Sequence, residues 1–268
     1  LIVHEESGTV IHKTPTQPVL MFVAILSVMG LIPVPEGSEQ AVIEVTVREG
    51  TNMAAALSPD GRTMAIDALG RIWTLPATGG TAIALTDPEG DARQPSWSPD
   101  GTRIAFQAYW AGDYDIWAVN VDGSGLAQIT SGPFDDREPH WSPEGSSIAF
   151  SSDRSGTYDI WEVALVDGEA QRLTNGGDNE YGPAYSPAGD ALAYVADGSS
   201  TGVWIRSSLG ATDRVADTYS VGSSLFAVSW SPDGSRLSYN VQSYGSSQIR
   251  IVPVSPNAGS EQILSDVD

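Results

Sequence analysis

The sequence predicts an all-β protein, a β-propeller whose blades each contain four antiparallel strands. The first observation is a turn that begins with Ser-Pro and recurs every 40 to 45 residues. Its copies begin at Ser58, Ser98, Ser142, Ser186 and Ser231. Self-similarity at a fixed period of this size indicates stacked or radially arranged units, and units made of short strands are typical of propeller blades. The second observation is composition, because 28 glycines and 17 prolines in 268 residues leave little room for long helices.

The third copy shows how one unit forms. In Ser142-Pro143-Glu144-Gly145 the proline presets φ at the first central position of a tight turn, and the glycine takes the left-handed position that closes it. Residues 147–150 follow as one strand, and Tyr158–Val163 follow as another that is rich in β-formers. Ile160 and Trp161 are adjacent and therefore point to opposite faces of the sheet. Such a two-faced sheet is suited to lie between two neighbouring blades.

The repeats set the predicted domain limits. Five blades are expected at about residues 52–86, 93–130, 137–174, 181–215 and 225–265, within a propeller that spans residues 41–268. Residues 41–48 alternate apolar and polar side chains, which predicts one more strand ahead of the first repeat. The fifth repeat already has its own outer strand, so the 41–48 strand is an orphan closing strand. The sequence therefore predicts an incomplete six-bladed ring and an N-terminal piece of a longer protein.

The segment before the propeller divides into two parts. Residues 1–18 show no periodicity and are expected to be an unstructured or non-native leader. Residues 19–37 are expected to be a signal peptide or a short apolar anchor, because residues 19–34 carry no charge. This run is shorter than the roughly 18 to 20 residues of a membrane span. A buried first element of the fold is the alternative. Export to the periplasm or the medium follows from the signal-peptide interpretation.

The charge balance excludes one class of partner. The formal net charge is −21, and Lys13 is the only lysine among 13 basic residues. Nucleic acid is therefore excluded as an expected partner, since its binding depends on basic contacts to phosphate. The acidity indicates either an ordinary solvated surface or adaptation to a salty medium. The chain has no cysteine, which excludes disulfides, thiolate metal sites and a cysteine nucleophile.

Several motifs resemble TolB-type propeller repeats over about residues 41–265. They are the Trp-Ser-Pro-Asp-Gly turns, the Ile-Ala-Phe strands at 104–106 and 148–150, the Ser-Asp-Arg-Ser-Gly turn at 152–156, and the Asp-Ile-Trp strands at 115–117 and 159–161. The first copy, residues 49–87, is similar to the opening blade of propellers that precede an amidohydrolase domain in large exported bacterial proteins. The resemblance implies an exported bacterial protein, usually with six blades.

A search for catalytic motifs is negative. The chain has no Gly-x-Ser-x-Gly turn, no His-Glu-x-x-His pair and no phosphate-binding glycine loop. His140 is the only histidine beyond residue 12, and a catalytic role would need a partnered constellation around it. The sequence therefore predicts no catalytic residue, no cofactor and no metal site in this chain.

The candidate binding residues fall just before each innermost strand, where a propeller opens onto one mouth of its central channel. They align when counted back from the prolines at 95, 139 and 183, and they are Asp91, Arg93, Asp136, Arg137, Glu138, His140, Glu180 and Tyr181. One interpretation is a mixed-charge rim that recognises a peptide, a metal or a neighbouring domain. The other is that the arginines pair with carboxylates and tie blades together. Four aromatic residues, Trp97, Trp141, Tyr185 and Trp230, are expected to form core between blades rather than a ligand box.

Two functions follow from these expectations. The first is a non-catalytic exported TolB-like propeller that acts as a recognition or gating module for a protein or peptide. The alternative is the N-terminal propeller of an amidohydrolase, or less closely of a prolyl-oligopeptidase-like peptidase, with its catalytic domain beyond residue 268. In that case the partner is the catalytic domain of the same protein. Neither function involves nucleic acid or a stable membrane span.

Overall fold

A computed structural model describes the chain over residues 2–6, 42–46, 53–110, 112–199, 201–217, 224–243, 246–255 and 261–267. Two strands precede the repeats, β1 (Ile2–Glu6) and β2 (Val42–Thr46). The first and second blades contain β3 (Ala55–Leu57), β4 (Thr63–Ala68), β5 (Arg71–Pro76), β6 (Thr81–Ala84), β7 (Arg93–Trp97), β8 (Arg103–Tyr109), β9 (Tyr114–Asn120) and β10 (Ala127–Gln128). The third and fourth contain β11 (Asp136–Trp141), β12 (Ser147–Ser152), β13 (Asp159–Ala164), β14 (Ala170–Arg172), β15 (Asn179–Tyr185), β16 (Ala191–Asp197), β17 (Gly202–Ser207) and β18 (Thr212–Asp217). The fifth contains β19 (Ser224–Trp230), β20 (Arg236–Ser243), β21 (Ser246–Pro253) and β22 (Gln262–Val267).

Each blade is an antiparallel sheet in which strands that follow one another in sequence are also neighbours. The first strands of successive blades, β3, β7, β11, β15 and β19, pack against one another and line the inside of the ring. The predicted all-β propeller of five four-stranded blades is confirmed. A three-residue 3-10 helix at Pro88–Gly90 joins the first blade to the second. In the described part of the chain, no helix has the length and apolar character needed to cross a membrane.

The two strands ahead of the repeats enlarge the first sheet. β1 runs parallel to the outer strand β6, pairing Ile2 with Thr81, and β2 lies antiparallel to β1. The strand expected over residues 41–48 is therefore present, but it joins the outer edge of the first blade through β1. A strand also lies within residues 1–18, where the sequence predicts none. The predicted signal segment, residues 19–37, lies outside the described residues.

The Ser-Pro turns are held by a repeated set of hydrogen bonds. In each turn the serine Oγ accepts the N–H five residues ahead, as Ser98 does from Arg103 at 2.9 Å. In the first, second and fifth turns the same hydroxyl donates to the aspartate two residues ahead, at 2.6 Å between Ser98 Oγ and Asp100 Oδ1. Together with hydrogen bonds from Thr102, this contact lowers the pKa of Asp100 to about 2. The turn glycines have φ near +70°, a left-handed conformation that glycine adopts without strain.

Apolar clusters fill the spaces between blades. Ile160 and Ala149 of the third blade pack with Leu192 and Tyr194 of the fourth. The aromatic residues at the ends of the innermost strands contribute as predicted. The indole Nε1 of Trp97 donates to Ala56 O of the preceding blade at 3.0 Å, and that of Trp230 donates to Ala184 O at 2.9 Å. Trp141 and Tyr185 pack in the corresponding clusters.

The first and fifth blades each have one sheet face that no neighbouring blade covers. Leu57 occupies the position of Trp97 and Trp141 in the following blades, but its side chain is 56% exposed. Ile249 occupies the position of Ile116 and Ile160, which are fully buried, but it is 40% exposed. Over the described residues, β3 to β6 share no close strand packing with β19 to β22. The ring of five blades is therefore open at this point, and a sixth blade stays a prediction.

Candidate functional site

A backbone irregularity marks the inner strand of each blade from the second to the fifth. The strand pairing shifts register at this point. The residues there, Gln94, Glu138, Gly182 and Ala227, have φ between 55° and 59°. This left-handed conformation is uncommon outside glycine and turns the N–H away from the strand ladder. Gln94 N donates to Asp67 Oδ2 at 2.8 Å, and Glu138 N donates to Gln107 Oε1 at 2.9 Å. The bulges at Gln94 and Glu138 are thereby fixed to the preceding blade.

The two predicted arginines lie at the beginning of the innermost strands β7 and β11 and pair with nearby carboxylates. Arg93 lies 3.0 Å from Asp91, and both side chains are exposed. Arg137 lies 2.7 Å from Asp135. Burial lowers the pKa of Arg137, but the hydrogen bond and charge of Asp135 together with the neighbouring tyrosines Tyr158 and Tyr114 raise the pKa overall. In both pairs the partners are only two residues apart in sequence. These ion pairs therefore connect residues of one chain segment and do not connect two blades.

Aromatic rings complete the rim. The guanidinium of Arg137 lies 4.4 Å from the ring centre of Tyr114 and 5.9 Å from that of Tyr158. The ring of Tyr158 lies 5.0 Å from that of Tyr181. We call Tyr114, Arg137, Tyr158 and Tyr181 the rim stack. It crosses from the second blade to the fourth.

Carboxylates accept hydrogen bonds from the tyrosines of the rim stack. The hydroxyl of Tyr114 donates to Asp91 at 3.3 Å, and that of Tyr158 donates to Asp135 at 3.2 Å. Asp135 also accepts the backbone N–H of Tyr114 at 3.1 Å, which ties the second blade to the third. Burial raises the pKa of Tyr158 to about 12, although Arg137 opposes this shift. The hydroxyl therefore keeps its proton and its hydrogen bond at neutral pH.

Sequence reasoning identified Arg93, Arg137 and Tyr181 but missed Tyr114 and Tyr158. Each missed tyrosine directly precedes an Asp-Ile-Trp strand, at Tyr114-Asp115 and Tyr158-Asp159. The recurring Tyr-Asp dipeptide was the available signal, but tyrosine at a strand start also fits ordinary β propensity.

Glu138 lies beside the rim stack and joins two blades. Its Oε2 accepts Ser151 Oγ at 2.8 Å within the third blade and Gly182 N at 2.6 Å from the fourth. A cavity of about 270 Å³ opens next to it, between the fourth and fifth blades. The cavity is lined by Glu138, Tyr181, Gly182, Val195, Asp197, Leu225, Phe226 and Ala227. It combines aromatic and aliphatic walls with two carboxylates.

Two other predicted residues make contacts within and between the sheets. Asp136 is buried and forms an ion pair with Arg154 at 2.6 Å. His140 lies deeper along β11, where burial lowers its pKa. Its Nδ1 lies 3.0 Å from Trp141 O and 3.4 Å from Tyr185 N. The geometry gives each of these two residues a structural position inside the sheet.

The last predicted residue, Glu180, lines a second cavity of about 370 Å³ between the third and fourth blades. The side chain is 3% exposed, and its Oε2 has no hydrogen-bond partner. Burial raises the pKa of this carboxyl, a hydrogen bond from Thr174 opposes the shift, and the charge of Asp159 adds to it. Across the described residues, no group of three or more His, Asp or Glu side chains is arranged to hold a metal ion.

Comparisons with known proteins agree with this fold. Residues 71–216 match the PD40 TolB beta propeller domain. The structure of a putative TolB from Agrobacterium tumefaciens is similar with a TM-score of 0.72 and 20% identity, over 83% of this chain and 84% of that one. TolB from Acinetobacter baumannii gives a TM-score of 0.64 and 22% identity, over 78% of this chain and 56% of that one. Puromycin hydrolase gives a TM-score of 0.55 and 18% identity, and the chain covers 36% of it.

None of the curated proteins compared with the chain matches it. The similarity to the solved structures concerns the fold, whereas the match over residues 71–216 spans more than half of the sequence. The repeated turns, the four-stranded blades and this match lead to one conclusion. The chain belongs to the PD40 family of TolB β-propeller domains.

Proposed function

We propose that the chain is a non-catalytic recognition module that binds a protein or peptide at the channel mouth. The observation that carries this proposal is the rim stack, in which the guanidinium of Arg137 lies between the rings of Tyr114 and Tyr158. Arginine and tyrosine are the residue types that contribute most binding energy at protein interfaces. Here they are held in place before any partner arrives.

The surroundings of the rim stack support the same proposal. Its carboxylates fix the tyrosine hydroxyls, so little conformational freedom is lost on binding. The adjoining cavity of about 270 Å³ offers space for one side chain of a partner. The exposed Asp91–Arg93 pair contributes at most about 1 kcal/mol to stability, as is usual for surface pairs. Stability alone therefore gives little reason for this arrangement.

The test uses peptides selected from a random library displayed against the whole chain. Their dissociation constants are then measured by fluorescence anisotropy for the wild type, Arg137→Gln, Tyr181→Ala and the control Arg62→Gln. Arg62 is exposed on a Ser-Pro turn at the other end of the blade, so its substitution makes the same charge change away from the rim. We expect about tenfold weaker binding in each rim variant and no change in the control.

Equal binding by all four proteins contradicts the proposal. Thermal unfolding of each variant gives the second measurement. If the rim variants lose stability and their peptide affinity is unchanged, the rim stack serves only to join blades.

A second candidate function is the propeller domain of a hydrolase. It is favoured by one observation, the alignment of this chain with 36% of puromycin hydrolase. In such a protein the rim would face a catalytic domain instead of a separate partner. Sequencing the gene downstream of residue 268 distinguishes the two, since a hydrolase domain in the same reading frame would support the second candidate.

We further propose that the protein is exported to the periplasm or the medium. The support is the uncharged run of residues 19–34, whose length fits the apolar core of a signal peptide. Residues 1–45 fused to a reporter that is active only outside the cytoplasm should give activity. An inactive fusion that accumulates in the cytoplasm contradicts export.

A further inference from the structure

One position in the blades is filled in three different ways. It lies just after the second strand of each blade. Its occupants are Trp110, Arg154 and Gly198 in the second, third and fourth blades. We call it the plug position. The strand pairing aligns these residues, because Phe106, Phe150 and Tyr194 stand four residues earlier and each faces a tryptophan on the next strand.

In the third blade the plug is a guanidinium in a polar and aromatic cage. Arg154 donates to the buried Asp136 at 2.6 Å. It also lies 5.0 to 5.4 Å from the ring centres of Phe134, Phe150 and Trp161. A buried carboxylate needs such a partner, since an isolated buried charge is strongly disfavoured.

In the second blade both halves of this arrangement are apolar. The plug is Trp110, whose ring contacts Phe106 and Trp117 at 6.5 and 4.5 Å between centroids. The residue equivalent to Asp136 is Ala92, which is fully buried. In both blades the residue at the Asp136 position has the same polarity as the plug. Alanine accompanies tryptophan, and aspartate accompanies arginine.

The fourth blade keeps the cage but lacks the plug. Glu180 takes the place of Asp136, while Tyr194, Trp204 and Asp178 take the places of Phe150, Trp161 and Phe134. Gly198 stands where Arg154 stands, so no side chain reaches the carboxylate from this position. These same cage residues line the cavity of about 370 Å³. The part of the cavity beside Glu180 therefore corresponds to the space that an arginine side chain fills in the neighbouring blade.

The state of Glu180 indicates what is missing. Its Oε2 is buried without a hydrogen-bond partner, which is costly for a carboxylate. Asp136 Oδ1 also lacks a partner, but the other oxygen of Asp136 is held by the ion pair with Arg154. Arg206 lines the same cavity but does not reach this oxygen. Arg172 is already paired with Asp159 at 2.7 Å. Within the described residues, no cation of the chain neutralises Glu180 by direct contact.

We infer that this cavity, the Glu180 cage, binds a guanidinium group, such as an arginine side chain of a peptide or partner protein. The guanidinium would donate to Glu180 Oε2 and lie against the rings of Tyr194 and Trp204, as Arg154 does with its own cage. Planar guanidinium suits both contacts, because it donates in a fixed fork and stacks on aromatic faces. This site is separate from the rim stack, and it stands or fails independently of the proposed function.

The test uses two small probes, N-acetylarginine amide and its neutral isostere N-acetylcitrulline amide, titrated into the whole chain and followed by NMR. Each is also titrated into Glu180→Gln and into Glu144→Gln, a control that removes the same charge from an exposed turn. We expect saturable binding of the arginine probe to the wild type and the control. Binding should be at least about tenfold weaker in Glu180→Gln, as for loss of a charged hydrogen bond, and also for the citrulline probe.

Equal binding of the two probes overturns the inference, as does unchanged arginine binding in Glu180→Gln. A second variant, Asp178→Phe with Gly198→Arg, rebuilds the cage of the third blade. Any side chain at position 198 must displace the side chain of residue 178, because a Cβ at Gly198 would lie 2.3 Å from Asp178 Oδ1 and 2.6 Å from its Cγ. This variant should no longer bind the arginine probe. Continued binding of the probe would place its site elsewhere.

Discussion

Two equivalent aspartates, Asp115 and Asp159, are buried beside different partners. In the third blade, Asp159 is fully buried and pairs with Arg172 at 2.7 Å. In the second blade, Asp115 is also buried, but Gln128 stands at the arginine position and donates from Nε2 at 2.9 Å. Burial and the charge of Asp136 raise the pKa of Asp115 to about 6. A neutral amide is a weaker partner for a carboxylate than a guanidinium is.

The shift at Asp115 has a defined effect on stability. The unfolded chain ionises this group near its reference pKa of about 3.9, and the folded chain ionises it only at higher pH. The folded state therefore binds the proton more tightly, and its advantage is lost as pH rises from about 4 to 6. The charges facing Asp115 include Asp113 and Asp136, which act in the same direction.

The substitution Gln128→Arg should remove this loss, because it recreates the ion pair of the third blade. We expect the free energy of unfolding to rise by up to about 1 kcal/mol at pH 7.5, with no gain at pH 4. Urea unfolding at both pH values measures this. Gln242→Arg adds the same charge at another exposed site and serves as the control. A gain that is equal in the two variants would show a general effect of net charge instead.

At the scale of the strand and turn, local chemistry explains why the blades were predictable. Ser98, Asp100 and the following N–H groups close their turn without help from the rest of the molecule. The turns also touch their neighbours, since a Cβ at Gly145 would lie 3.2 Å from Pro99 of the preceding turn. A motif that is both self-contained and repeated leaves a clear pattern in the sequence.

The bulges and the rim stack lie on elements that were predicted, yet their arrangement was not predictable. Gln94, Glu138, Gly182 and Ala227 share a left-handed conformation but no side-chain type. Tertiary contacts to the preceding blade impose that conformation, as with Glu138 N on Gln107. The alignment of the blades predicts Asp136 at the rim, whereas its partner Arg154 is 18 residues away, in a segment that the sequence marks only as a turn. Pairing across a blade follows from the folded register and not from local sequence.

At the scale of the whole molecule, the open ring exposes apolar side chains that the inner blades cover. Leu57 on the first blade and Ile249 on the fifth face outward at the same opening. Exposed apolar sheet faces favour association with another surface. The net charge of −21 opposes this association at low salt, and screening at higher salt weakens the opposition.

We therefore expect the chain to self-associate at raised salt through these two faces. The double variant Leu57→Glu with Ile249→Glu should sediment as a monomer at concentrations where the wild type does not. Leu209→Glu is the control, because Leu209 is 96% exposed on a turn away from the opening. Sedimentation velocity measures the difference. A wild type that stays monomeric throughout, or a double variant that unfolds, would show that these residues are covered in solution.

The residue types found at the plug position have closely related codons. Tryptophan, arginine and glycine are related by single-base changes at the first base of a codon ending in GG. The residues beside the plug are Ala92, Asp136 and Glu180. A codon for alanine can differ from one for aspartate by a single base, and a codon for aspartate from one for glutamate likewise. A sealed apolar contact, an internal ion pair and an open acidic cage are thus separated by very few mutations. Because each blade contacts mainly its two neighbours, a gene for such a propeller can change the chemistry of one niche while the other blades keep theirs.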